Sequence, residues 1–330
     1  LLAIVPLGDL VENRRLVLSI LCGTVLALVA AACAPNFPTF VAASLAIGIT
    51  SVVAQVLVPL AANLAPEASR GRVVGQVMSG LITGILLSRA FAGVIAGAAG
   101  WRSVYALSAV LMAATIVVLG RIVPRRSPTF AGDYRALLSS LVTIFRREPV
   151  LRRRAAYQAL MFASFSAFWT SVTFHLTASP YRFTQTEIGF FALAGALGAL
   201  VAPVAGRLGD AGHGRRASLL AFVLAAAGFA LTVVPGIAPL VLGAIALDVG
   251  VQMSLVLGQQ AIYALAPSER GRLNTLYVAL FFLGGAAGSA AASGLFAYGR
   301  WPLVVSFGSA LPLVACALWS IESRRTTLTH

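Results

Sequence analysis

The chain has 330 residues, 59% of them hydrophobic and only 10% charged, with a formal net charge of +14. A soluble domain carries about 25% charged residues. This composition therefore excludes an ordinary water-soluble fold and makes lipid the main solvent.

In chain order, residues 1–6 read as the end of an apolar segment, followed by the polar run Leu7-Gly8-Asp9 to Arg14-Arg15. Ten long apolar stretches come next, at approximately 16–34, 39–63, 73–97, 102–122, 155–177, 187–206, 217–234, 238–265, 272–297 and 301–321. Each has about the 20 residues that cross a bilayer as a helix. Helix is the expected form, because a strand or loop in lipid would leave backbone groups unpaired. Pro59 and Pro203 lie within two of these stretches and are expected to kink them. Residues 123–154 form the longest polar stretch. Within it Tyr134, Leu137, Leu138, Leu141, Ile144 and Phe145 recur at helical spacing among arginines. This predicts a tether carrying a short amphipathic helix on the membrane surface. The expected domains are a transmembrane part at 1–122, the linker at 123–154, a second transmembrane part at 155–322 and a tail at 323–330.

Several motifs occur twice, about 200 residues apart. Leu7-Gly8-Asp9 with Arg14-Arg15 matches Leu208-Gly209-Asp210 with Arg215-Arg216. Leu64-Ala65-Pro66 and Arg70-Gly71-Arg72 match Leu265-Ala266-Pro267 and Arg270-Gly271-Arg272, and Trp101 matches Trp301. A repeat of this length in a very apolar chain predicts two homologous halves. About 53 residues separate Ala155 from Leu208, whereas six precede Leu7. The register predicts about 47 further residues ahead of Leu1. It gives six helices per half, of which this chain holds ten complete ones and a remnant of helix two.

Charge sets the expected orientation. All 24 basic side chains are arginine, and 20 of them fall in alternate loops, with Arg102, Arg182 and Arg300 in the others. The positive-inside rule places the rich set in the cytoplasm. That distribution explains the net charge and argues against a nucleic-acid surface. Cys22, Cys33 and Cys316 lie in apolar runs, without disulfide or metal-site spacing. A Gly-x-x-x-x-Gly-Lys nucleotide loop is impossible without lysine. Neither a zinc motif nor a second intramembrane carboxylate supports an intramembrane enzyme.

The segment Gly206-Arg207-Leu208-Gly209-Asp210 through Gly214-Arg215-Arg216, with its degenerate copy at Val5 to Arg15, resembles the signature loop of the major facilitator superfamily. The resemblance covers the whole chain and implies an all-α membrane protein with two six-helix halves. Within the family, the stretch Gly84 to Gly93 followed by Gly100-Trp101-Arg102 is similar to the twelve-helix drug and sugar efflux permeases. Ser88-Arg89 stands where antiporters of that branch carry Gly-Pro. The resemblance implies a conformational latch at Asp9, Arg14, Arg15, Asp210, Arg215 and Arg216.

Asp248 is the one carboxylate in the middle of an apolar stretch. A charged aspartate at a helix centre costs about 2.5–3.5 kcal/mol on insertion scales, and such residues usually serve a cavity, an ion or a substrate. At helical spacing Asp248, Gln252, Gln259 and Tyr263 fall within about 60° of one another. A polar stripe of this kind lines a water-filled cavity or a seam between helices. Ser51 and Gln55 share one face of the stretch 39–63, and Phe165 and Trp169 give the stretch 155–177 an aromatic surface. Together they suit an amphipathic organic substrate. Arg89 reads as a structural partner for a carboxylate or a contact for an anionic group. His175 reads as an interfacial residue. Gly80, Gly84 and the group Gly284, Gly285, Gly288 and Gly294 predict close helix packing.

The expectation is a monomeric secondary transporter of small organic molecules in a bacterial inner membrane. It would export them in exchange for protons by alternating access, without a cofactor. An inert truncated fragment and an uptake permease are the alternatives.

Overall fold

The computed structural model describes residues 11–64, 70–125, 134–266 and 269–327. All regular structure among them is helical. Among the described residues, eight helical spans are long and apolar enough to cross a membrane. Asp9 and the expected remnant of helix two lie outside the described residues. The chain divides into two compact units, Leu1–Ser140 and Leu141–His330.

The first unit contains α1 (Asn13–Ala32), α2 (Phe37–Thr50), α3 (Val53–Leu64), α4 (Arg70–Ala99) and α5 (Trp101–Ile122). The Asn36 side chain accepts from the Thr39 backbone N–H at 3.0 Å, and Thr39 reaches back to Asn36, forming a capping box at the start of α2. Leu16, Val17, Ile20 and Leu21 of α1 bury one stripe against Val52, Val53 and Val56. The opposite faces stay apolar but exposed, as with Leu26 at 71%. A water-soluble protein would not display such a surface, and lipid would cover it.

The expected single helix at 39–63 is broken. Backbone helix stops at Thr50 and resumes at Val53. The hydroxyls of Thr50 and Ser51 donate to the carbonyls of Ala46 and Ile47 at 2.9 and 2.7 Å. Side chains bonding back to the preceding turn in this way bend helices. Pro59 lies beyond this break, inside α3.

The amphipathic helix α6 (Tyr134–Arg147) forms as the spacing predicts, with Leu141 and Ile144 buried, and the boundary between the units falls inside it.

The second unit continues through α7 (Pro149–Thr177), α8 (Gln185–Ala196), α9 (Ala202–Leu208), α10 (Gly214–Leu231), α11 (Ile237–Tyr263) and α12 (Arg270–Thr327). The last is two membrane helices meeting at Arg300, whose backbone is not helical (φ 52°). The expected helix at 187–206 is also interrupted, by a 3₁₀ stretch at Leu197–Val201. Pro203 sits in the first turn of α9, so the predicted kink falls at this break.

Two devices join α7 to α12. One is a glycine seam. A Cβ on Gly284 would lie 2.4 Å from the Ala159 carbonyl oxygen, and one on Gly288 2.2 Å from that of Ala163. Only hydrogen at these positions lets the backbones come this close, as small-residue motifs do in membranes. Gly285 packs equally tightly, on Phe162. The rest of the glycine expectation is corrected: Cβ atoms at Gly80, Gly84 and Gly294 would have no described atom within 4 Å. The other device lies at the arginine-rich end, where Glu322 accepts from Tyr157 Oη at 2.5 Å and pairs with Arg153 at 3.1 Å. At the same end Arg147 bonds Glu148 and Glu269, which hold its guanidinium even above its usual range.

The core is aromatic. Phe168, Phe222, Phe229 and Trp301 are buried together. The Trp301 indole N–H donates to the Thr232 carbonyl at 2.8 Å. The His175 ring stacks on Trp301 with centroids 4.6 Å apart, giving the expected interfacial histidine a packing role.

Candidate functional site

Asp248 lies near the middle of α11, 7% exposed. Two other segments close on it. From α7, the Trp169 indole N–H donates to Asp248 Oδ1 at 3.0 Å. From α8 and the 3₁₀ stretch come two glycines. A Cβ on Gly195 would fall 2.3 Å from Trp169 Cζ2 and 2.4 Å from Asp248 Oδ2. A Cβ on Gly198 would fall 2.6 Å from Asp248 Cβ. Gly195 and Gly198 thus leave room for the carboxylate, and Gly195 for the indole, to lie against this backbone.

A carboxylate taken out of water needs hydrogen-bond donors to offset its desolvation. Indole N–H is suited to a group that gains and loses a proton. It is a donor only, and can donate to a carboxylate or to the carbonyl oxygen of the neutral acid. Phe165 and Phe191 stand 6.3 and 6.0 Å from Trp169, centroid to centroid, so the indole is set among rings. Trp169→Phe keeps an aromatic ring of smaller size and removes the donor. Hydrogen bonds to charged groups contribute about 1.5–3 kcal/mol, so the expected result is a transport rate about tenfold lower or worse. The same loss should lower the thermal midpoint by about 2–4 °C per kcal/mol, which differential scanning fluorimetry checks.

The predicted polar stripe divides. Gln252 is partly exposed. Gln259 donates to Asn274 Oδ1 at 3.3 Å, so this part of the stripe is a seam between α11 and α12. The Tyr263 carbonyl accepts from Arg270 Nε at 3.0 Å. In the first unit Ser51 is exposed at the break between α2 and α3, with its hydroxyl committed to Ile47. Gln55 is partly exposed on α3 and Arg89 partly exposed on α4.

At the signature loops, Asp9 lies outside the described residues, and of the other expected latch residues Arg14, Arg15, Asp210 and Arg215 have the following partners. Arg14 donates to the Gly120 carbonyl, and Arg15 pairs with Glu12 at 3.0 Å. Asp210 accepts from Gln260 Nε2 at 3.1 Å, while Arg215 lies over the Trp319 ring at 5.5 Å. Sequence reasoning missed Gln260, Gly195 and Gly198. The two glycines carried a local signal in their small-residue run, whereas Gln260 carried none.

The sequence pattern of the Major Facilitator Superfamily matches residues 1–211 and again residues 159–329. The chain belongs to that superfamily. Like its relatives, it is a multi-pass membrane transporter and not an enzyme. It is 39% identical over 324 residues to YgaY of Escherichia coli strain K12, named as an uncharacterized transporter; the match covers 97% of this chain and 82% of YgaY. SCO4007 of Streptomyces coelicolor, also named as a transporter, is 35% identical over 309 residues, covering 91% of this chain and 70% of its own. Among solved structures, the human organic anion transporter MFSD10 superposes with a TM-score of 0.69 at 19% identity, over 96% of this chain and 80% of its own. The nucleoside transporter NupG superposes with a TM-score of 0.72 at 13% identity, over 97% of this chain and 87% of its own. Likenesses this distant in sequence establish the major facilitator fold alone.

Proposed function

We propose that this major facilitator is a monomeric, proton-coupled exporter of small organic molecules, working by alternating access in a bacterial inner membrane. The observation that carries the reading is Asp248, a carboxyl group in the middle of a membrane helix with an indole donor set on it. Retaining an ionisable group there costs insertion energy, which a purely structural residue could avoid. The aromatic surface of Phe165 and Trp169 suits a solute with an apolar body. Gln252, Gln259 and Tyr263 extend the polar face of α11, and Ser51, Gln55 and Arg89 are the first unit's candidates for the pathway. The direction of transport rests on the resemblance to efflux permeases, and the orientation on the arginine distribution.

The test is reconstitution in lipid vesicles with an imposed pH gradient. A panel of labelled sugars, nucleosides and amphipathic dyes is followed with and without a protonophore. Movement against the proton flow that stops with the protonophore supports the reading. Movement with the proton flow would make the protein an uptake permease, and flux indifferent to the gradient would remove proton coupling.

A further inference from the structure

The turn that follows α9 is held by an amide. Gln260, in the last turn of α11, donates through Nε2 to the Gly206 carbonyl and to Asp210 Oδ1, each at 3.1 Å. Its Oε1 is buried, without a hydrogen-bond partner among the described residues. A Cβ at Gly209 would lie 1.8 Å from that oxygen and 2.8 Å from the amide carbon. The carboxamide therefore fills the space a side chain at 209 would take. The backbone between is a π-helical turn, Gly209–His213, with Gly212 at φ 76°. Neither Arg215 nor Arg216 forms an ion pair with Asp210 among the described residues.

We propose that Gln260 is the positioning residue of the Asp210 turn: a neutral amide clamp, rather than the neighbouring arginines, fixes this loop to the helix that carries Asp248. The clamp has three parts that must agree. The amide supplies the donor, the aspartate and the Gly206 carbonyl accept, and Gly209 leaves room. It rests on this geometry and is independent of proton coupling at Asp248.

Hydrogen–deuterium exchange of the purified protein in nanodiscs, read over residues 207–216, tests it. Local opening raises exchange of the amides it exposes. Gln260→Ala, which removes both hydrogen bonds, is expected to speed exchange of this segment at least about tenfold, the scale of a single one at about 1–1.5 kcal/mol. Gly209→Ala should do the same by displacing the amide, and the double variant should add no more than about twofold, because the two changes break one interaction. Gln260→Glu should open the turn further by setting two carboxylates together. Combining it with Asp210→Asn should restore part of the protection, since the new amide donates to the new carboxylate. Exchange should not respond to added salt, nor to Arg215→Gln with Arg216→Gln, as it would for an ionic latch. If Gln260→Ala does not fold, Gln260→Asn, one methylene shorter, replaces it. Additive effects, a silent Gly209→Ala, an exchanged pair no better than Gln260→Glu, or loss of protection with salt or the arginines would each overturn the clamp.

Discussion

Asp248→Asn is expected to lose at least about 99% of gradient-driven transport, a loss of about 2.7 kcal/mol or more in coupling at 1.36 kcal/mol per factor of ten. The substitution is nearly isosteric and keeps a carbonyl oxygen for the Trp169 indole to bond, so the packing of α7, α8 and α11 should survive. What it removes is the ability to take up and release a proton. A second measurement separates coupling from damage. With labelled solute on one side and unlabelled on the other, and no pH gradient, exchange needs only that the loaded carrier reorient. It should persist in Asp248→Asn at a rate within a few-fold of the parent. Loss of both activities would assign Asp248 to substrate binding or folding, and retention of gradient-driven flux would free it of any coupling role.

Gly288→Val should be the most damaging single change to stability among those considered. The Cβ position lies 2.2 Å from the Ala163 carbonyl oxygen, and the obstacle is backbone, which cannot rotate aside. Valine's two further methyl groups add to the clash, so α7 and the first half of α12 must part. Overpacking costs about 1–3 kcal/mol, occasionally more, and at the upper end the thermal midpoint should fall by about 5–10 °C. Gly294→Val is the control on the same helix. Its Cβ would meet no described atom within 4 Å, so the midpoint should hold. Equal losses in both variants would show that the α7–α12 seam does not limit stability.

How much of this was legible in the sequence follows from the range of the interactions involved. Apolar length located the helices, because a lipid solvent imposes that length residue by residue. It could not show that α2 and α3 are separate. At that break Thr50 and Ser51 bond back to Ala46 and Ile47, but Ser108 and Thr115 make the same kind of bond inside an unbroken helix, so the hydroxyls alone did not mark it. Asp248 stood out because a carboxylate in an apolar stretch is conspicuous on its own. Trp169 was named for its ring and not for its N–H, since its bond to Asp248 spans 79 positions. Gln260 was invisible for the same reason. A glutamine near a helix end is unremarkable until the loop 50 residues earlier is folded against it. The signature motif pointed to the loop, but its charges do not reveal that the Asp210 carboxylate accepts from a neutral amide.

The break at Ser51 and Val52 has a mechanical meaning. The helix α11 is a rod of 27 residues, about 40 Å long at 1.5 Å per residue. The turn gripped by Gln260 and the carboxyl group of Asp248 thus sit about three turns apart on one unbroken helix. The pair α2 and α3 is instead two short rods with a joint between them. A change of angle between the two would fall at that joint. One unit therefore holds a lever and the other a knee.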